Sequence, residues 1–465
     1  MERMRGIDAG FLYMEAPTLH MHTIKVAVLQ PSPGWDSSLE SLTRAMAERM
    51  HLLPPLRRRP VPVPFGMHHP VWIEDPDFRL ERHLRRAAVP SPGGARELDA
   101  LVSEIASAPL ARDRPLWELW LVVGLRDGRI AAVAKIHHAV ADGVAIAGLL
   151  ANVMAPEPPG ALPPAAPWEG QAAPSATALA RGALLDRARA ACGLPRLLAK
   201  TARNLWRLRR QRDRGAALPR PMLDVPRAPF NGALSAERRF ATAALSLTEV
   251  KAVKNALGVT LNDVVLALVA ASLRRYLEAR RALPPRSLVA EVPVSTDAPE
   301  DGPRISGNRV ANIFTFLHTD VADPIARVHR IHETMVAGKA ANGLLGPELF
   351  AEWTEHTPGP VYAWVVRSYA RWRLADLLRP PINAIVSSVP GPRQRLHWSE
   401  GSLHALYSVG PLVEGVGVNV TAWSYVDRLN VGILACPDLL PDPHEVGDGM
   451  QDALEELRSA LAVAA

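Results

Sequence analysis

Hydrophobic and polar positions along the chain fall into two periods. Residues 24–29 alternate as a strand. Two apolar runs, 119–123 and 129–136, flank the turn signal Arg126-Asp127-Gly128, so 117–136 reads as a β-hairpin. Leu39, Leu42, Met46 and Met50 share one face of a helix predicted over 35–50, which Pro54 and Pro55 end. Helices are also predicted at 98–106 and, directly after the hairpin, at 144–154. From Pro156 the pattern lapses: Pro158, Pro159, Pro163, Pro164 and Pro167 stand in an Ala-rich stretch that reads as a linker. Two helices, 176–192 and 194–214, follow it.

The second half mixes both periods. Ser246 starts a helix over 246–257, with Glu249 where a capping box would put it, and Thr260 or Asn262 caps an apolar helix over 264–277. Strands are predicted at 288–294, beyond Gly307-Asn308 to Phe316, and at 382–389, where Pro390-Gly391-Pro392 forces a sharp exit. A helix is predicted at 325–336 and a second hairpin over 416–436, turning at Asp427-Arg428. Without regular βαβ alternation or a Gly-rich phosphate loop, the pattern predicts a mixed α/β (α+β) chain of two sandwich domains. The boundaries fall at 1–155, a linker and basic helical segment at 156–225, and 226–465.

Composition narrows this picture. A chain of 465 residues exceeds one ordinary core, and 48% hydrophobic with 22% charged residues is the balance of a soluble globular protein. The net charge of +6 suits nucleic acid, anionic lipid or an acidic molecule such as coenzyme A. With no basic recognition helix, nucleic acid is set aside. No apolar segment follows Arg3 and Arg5 as a secretory signal requires, and no run of about 18 uncharged apolar residues spans a membrane. Cys192 and Cys436 make no disulfide framework, which points to the cytoplasm. The 194–214 helix carries Arg196, Lys200, Arg203, Arg207, Arg209, Arg210, Arg212 and Arg214 among Leu197, Leu198, Leu205, Trp206 and Leu208. It reads equally as a surface helix on anionic membrane or lipid droplets and as a solvated interdomain helix.

The candidate chemistry lies where the first hairpin ends, in Lys135-Ile136-His137-His138-Ala139-Val140-Ala141-Asp142-Gly143. An imidazole with a pKa near 6.5 exchanges protons at neutral pH, and a strand end is a rigid place to hold one. Asp142 is suited to cap the helix that follows. The adjacent histidines lack the i, i+4 spacing and third ligand of a zinc site, so no metal is expected. His68, His69 and His83 show no ligand spacing and read as surface-loop residues.

The string His-His-x-x-x-Asp-Gly after an apolar strand resembles the active-site motif of acyltransferases with the chloramphenicol acetyltransferase-like fold, condensation domains among them. Further strings resemble one branch, the bacterial wax ester synthase/diacylglycerol acyltransferases. They are Gly6-Ile7-Asp8-Ala9-Gly10-Phe11-Leu12, Pro115-Leu116-Trp117, Asn262-Asp263-Val264-Val265-Leu266-Ala267, Val292-Pro293-Val294-Ser295 and Gly307-Asn308. Val389-Pro390-Gly391-Pro392, Tyr407-Ser408-Val409-Gly410-Pro411 and Asn419-Val420-Thr421-Ala422 complete the series in order. Two positions depart from the family pattern: Ser388, where Asn is common, and Asp297, where Arg is usual. Neither is expected to touch the histidine motif.

The resemblance implies two chloramphenicol acetyltransferase-like domains with the active site in a tunnel between them. It implies transfer of a fatty acyl group from acyl-coenzyme A, a substrate rather than a cofactor, to diacylglycerol or a long-chain alcohol. It makes His138 the general base, His137 an orienting neighbour, Asp142 a structural support and Gly143 a point of close approach. Asn262 and Asp263 become substrate-binding candidates by association. Peripheral association with a membrane or lipid-droplet surface is compatible with it. The rival readings are a condensation-type acyltransferase with another acceptor and a lipid-binding or droplet protein without catalysis.

Overall fold

The computed structural model describes residues 2–156, 170–212, 218–298, 302–398 and 401–464. Two six-stranded sheets dominate, with a small three-stranded sheet beside them. The first runs in the order His397–Trp398, Gly401–Val409, His22–Pro31, Ile130–His137, Trp117–Val123, Leu84–Ala88. The second runs Val310–Phe316, Val289–Ser295, Ala384–Val389, Val418–Tyr425, Arg428–Ala435, Arg239–Ser246. Each sheet packs one face on its own apolar core.

The first hairpin forms as its pattern predicts. Trp117 lies opposite Ile136 and Val122 opposite Ala131, with Asp127 and Gly128 in the left-handed region at the turn (φ 66° and 68°). Its second strand pairs with His22–Pro31, His22 facing His137, so the histidine pair emerges from mid-sheet. The second hairpin pairs Val418–Tyr425 with Arg428–Ala435. His397–Trp398 and Gly401–Val409, from the C-terminal half, are hydrogen-bonded into the first sheet, so among the described residues these strands cross the division at 226.

The helix Ala95–Ser107 ties the two sheets together. Ser103 Oγ accepts Phe240 N–H at 2.8 Å, and Asp99 accepts from Thr242 N–H at 2.9 Å and from His444 Nε2 at 3.1 Å. Ser246 caps Leu247–Leu257 by accepting Glu249 N–H, but the Glu249 carboxylate pairs with Arg458 at 2.7 Å instead of closing the box. Leu261–Ala279 is buried on nearly every side and forms the spine of the second core, a reason its sequence lacks a polar stripe.

Several sequence expectations are corrected. The helix predicted over 35–50 is confined to Leu39–Ala47, with Met50 in a separate turn; Leu42, Met46 and Met50 are buried. Helices 176–192 and 194–214 are one helix, Ala176–Arg212, with Pro195 inside; Arg214 lies outside the described residues. Tertiary anchors on both sides of Pro195 offset its missing hydrogen bond: Arg3–Asp186 at 3.0 Å, and Asn204 donating to Leu345 O at 2.7 Å. The helix predicted at 325–336 runs on to Leu345, where Gly346 (φ 86°) follows. His68, His69 and His83 are buried, not surface residues. His83 bonds Trp117 O and stacks on Trp117, and His69 bonds the Tyr13 hydroxyl at 2.9 Å.

No single helix among the described residues is long and apolar enough to cross a membrane.

Candidate active site

The strand Ile130–His137 ends in a turn that delivers His138, and Asp142 then caps the helix Gly143–Val153 by accepting Ala145 N–H at 2.9 Å. Four short contacts, two to the backbone and two to the ring, fix His138. Its backbone N–H donates to Met21 O at 2.7 Å, and Phe11 stacks on the ring with centroids 4.2 Å apart. Nδ1 lies 2.8 Å from Asn308 Oδ1, while Asn308 Nδ2 donates to His138 O at 2.8 Å and to Asp8 Oδ1 at 2.7 Å. Because the Asn308 amide nitrogen is spent on two acceptors, its oxygen must accept from His138, so the proton sits on Nδ1. Nε2 keeps its lone pair. Burial lowers the His138 pKa to about 4, which leaves the ring neutral at physiological pH.

His137 does different work. Its Nδ1 accepts Ala139 N–H at 3.0 Å and its Nε2–H lies 3.0 Å from Glu15 Oε1, so it is buried and locks the turn that carries His138. Burial lowers the His137 pKa. Burial works to raise that of Glu15, but hydrogen bonds and charge from His137 and Arg112 outweigh it and hold the carboxylate below its ordinary value.

Asp142 reaches beyond its helix. Its Oδ2 accepts from Arg304 Nη2 at 2.7 Å and from Arg309 N–H at 2.8 Å, and Arg304 continues to Asp297 at 2.9 Å. Asp297 does not touch the histidine motif itself but is joined to it through Arg304. Backbone bonds Asp142 N to Gly307 O and Gly307 N to Val140 O zip the 304–309 loop onto the motif. Across from it, a Cβ at Gly148 would lie 2.2 Å from Arg304 O, so that helix position must be glycine for the loop to seat.

Asp8, Phe11 and Glu15 share the helix Gly6–Met14 and its C-cap, spaced i, i+3, i+7, which puts them on one face toward the two histidines. Sequence reasoning found the opening string only by resemblance, although this spacing was legible. It gave no role to Asn308 or Arg304, whose contacts span 170 and 162 residues. Burial raises the Asp8 pKa to about 7, against the lowering bonds of Asn308.

His138, Asp142 and Gly143 line a cavity of about 400 Å³ between the two sheets. Its walls are largely apolar, with Phe11, Met21, Pro293, Ile385 and Val389 among them. A Cβ on Gly143 would meet Val389 Cγ2 at 3.5 Å, an ordinary van der Waals contact. Asn262 and Asp263 are not among the lining residues. Asp263 accepts from Thr260 N–H at 2.9 Å in a capping box and lies 2.7 Å from His332 Nδ1. A second cleft of about 220 Å³ adjoins Asp8 and Asn308 and is lined by Arg3, Arg5, Arg58, Arg304 and Arg309. Among the described residues, no group of three or more His, Cys, Asp or Glu side chains is arranged to hold a metal ion.

A strand-end imidazole, neutral and held by one nitrogen over an apolar cavity between two sheets, is able to accept a proton from a bound hydroxyl. Comparison with known proteins gives the family. Residues 4–265 match the family model of the wax ester synthase/diacylglycerol acyltransferase catalytic domain, and residues 306–458 match that family's C-terminal domain. A Mycobacterium tuberculosis protein assigned by its description to the diacylglycerol O-acyltransferases is 42% identical over 470 residues, covering 100% of this chain and 97% of the relative. A wax ester synthase/diacylglycerol acyltransferase from Marinobacter aquaeolei VT8 superposes with a TM-score of 0.71 at 28% identity, covering 99% of this chain and 100% of that one. The first condensation domain of the calcium-dependent antibiotic synthetase shares the fold, with a TM-score of 0.60 at 18% identity over 99% of this chain and 96% of that one. The chain belongs to the wax ester synthase/diacylglycerol acyltransferase family, and it is an acyltransferase.

Proposed function

We propose that the protein moves a long-chain acyl group from acyl-coenzyme A to the free hydroxyl of diacylglycerol, and also to long-chain alcohols, with His138 as general base. The observation that carries this reading is the ring's tautomer: Nδ1–H is committed to Asn308, and Nε2 is left as a proton acceptor at an apolar cavity. In the reaction Nε2 takes the hydroxyl proton as the oxygen attacks the thioester carbonyl. The tetrahedral intermediate collapses, the C–S bond breaks, and the imidazolium returns the proton to the departing thiolate. Acyl-enzyme formation is unnecessary. His137 and Asp142 act as positioning residues, one through Glu15 and the turn, the other through Arg304 and the 304–309 loop.

The arginine-lined cleft beside Asn308 suits the phosphates of coenzyme A. Association with a lipid surface is supported by the helices near the cavity. Phe350 and Tyr362 line the cavity, and Phe350, Val361, Trp364, Trp372 and Leu377 are exposed around them beside Arg367 and Arg371. Purified protein given palmitoyl-coenzyme A should release thiol only when diacylglycerol or hexadecanol is present, and should form the matching ester. Thiol release without an acceptor would make it a thioesterase; lipid binding without product would favour a non-catalytic droplet protein.

A further inference from the structure

One wall of the cavity carries a group that the acyl-transfer chemistry leaves unused. In the strand Val289–Ser295, Ala290 and Val292 pack into the core while Glu291 and Pro293 line the cavity. The cross-strand neighbours of Glu291 are Phe314 and Ile385, both apolar. Among the described residues no hydrogen bond or ion pair reaches its carboxyl, and burial alone pushes its pKa up to about 7. Much of it therefore keeps its proton at neutral pH and presents an O–H donor. Several other polar side chains in the cavity have partners. Lys25 donates to Ser408, Thr23 to Ile136 O, and Asn419 to Pro411 O.

The strand also sets the position. Beyond Ser295, Thr296 N–H bonds Arg309 O, next to Asn308. Four residues of strand put Glu291 roughly 13 Å from that end. A plain alkyl chain passing there would leave the carboxyl unsatisfied; a chain carrying an oxygen would not.

We propose that Glu291 is a specificity determinant that hydrogen-bonds an oxygen carried part-way along one of the two lipid substrates. The oxygen is either an ester carbonyl of a diacylglycerol acceptor or a mid-chain hydroxyl of the acyl donor. This rests on the acyl-transfer reading above.

Wild type, Glu291→Met and Glu291→Gln would be compared in two arms. The first gives palmitoyl-coenzyme A with dioleoylglycerol or hexadecanol. The second gives hexadecanol with 12-hydroxyoctadecanoyl- or octadecanoyl-coenzyme A. In one arm, Glu291→Met should lose about tenfold or more in kcat/KM for the oxygenated substrate, with the plain one changed less than about threefold. Glu291→Gln, whose amide still donates, should keep the wild-type selectivity. The arm that responds identifies the source of the oxygen. Equal losses for plain and oxygenated substrates, or no change in either arm, would overturn the proposal. Wild-type protein that makes no ester in any mixture would instead overturn the acyl-transfer reading beneath it.

Discussion

As the proposed base, His138 faces two demands: it must be neutral to accept a proton, and it must be held still. Burial meets the first by lowering its pKa to about 4, and Asn308 meets the second through Nδ1. The acid limb of the kcat/KM profile should therefore lie near pH 4 to 5, well below that of a free imidazole, because only below the lowered pKa does the base become charged. An Asn308→Ala variant should lose about tenfold to a hundredfold in kcat, since ring and tautomer are no longer fixed. Glu291 makes a separate prediction. Its folded pKa of about 7 exceeds the ordinary 4.5, so its favourable contribution is complete below pH 4.5 and is lost as pH rises through 7. Glu291→Gln should then raise Tm at pH 8 to 9 and show little gain at pH 4 to 5. A gain at pH 4 to 5 that equals the gain at pH 8 to 9 would contradict the burial argument.

At the scale of elements, the 304–309 loop is the piece that completes the site. It is held by an ion pair in which Asp142 is 2% and Arg304 14% exposed, so removing one partner strands a buried charge. Arg304→Met should destabilise the protein by about 3 kcal/mol in denaturant unfolding and lower kcat as well. Gly148→Ala, which meets Arg304 O, should do the same without removing any charge. What sequence could say about these elements follows from range. The hairpin and the Asp142 cap were legible because their signals are local: a turn dipeptide between apolar runs, and a carboxylate before a helix. The loop's role was not, because Arg304 and Asn308 meet the motif only after the chain has built both sheets. His68, His69 and His83 misled for a related reason. A histidine can satisfy itself with one backbone carbonyl, hydroxyl or ring, and no periodicity announces that partner. Pro195 misled because its penalty was weighed without the tertiary anchors that outlast it.

Across the whole molecule, the first sheet takes residues 397–398 and 401–409 from the C-terminal half, and an apolar cavity lies between the two sheets. The long helix, which reads equally as a lipid-surface helix and as a solvated interdomain helix, exposes Leu184, Leu185, Leu198, Leu205 and Trp206, while Arg210 stacks on Trp206 at 4.4 Å and Leu197 is buried. The exposed Trp364 and Trp372, near the cavity-lining Tyr362, form the lipid contact proposed above. Replacing both by Ser should weaken sedimentation with anionic vesicles at least about fivefold and spare acylation of a short, soluble alcohol. Unchanged sedimentation would return the role to the Ala176–Arg212 helix.

The role of His138 as base is tested most directly by kcat/KM for diacylglycerol with palmitoyl-coenzyme A in wild type and His138→Ala. A fall of about a thousandfold with an unchanged melting temperature is predicted. A folded His138→Ala protein that still acylates diacylglycerol within tenfold of wild type would contradict the assignment.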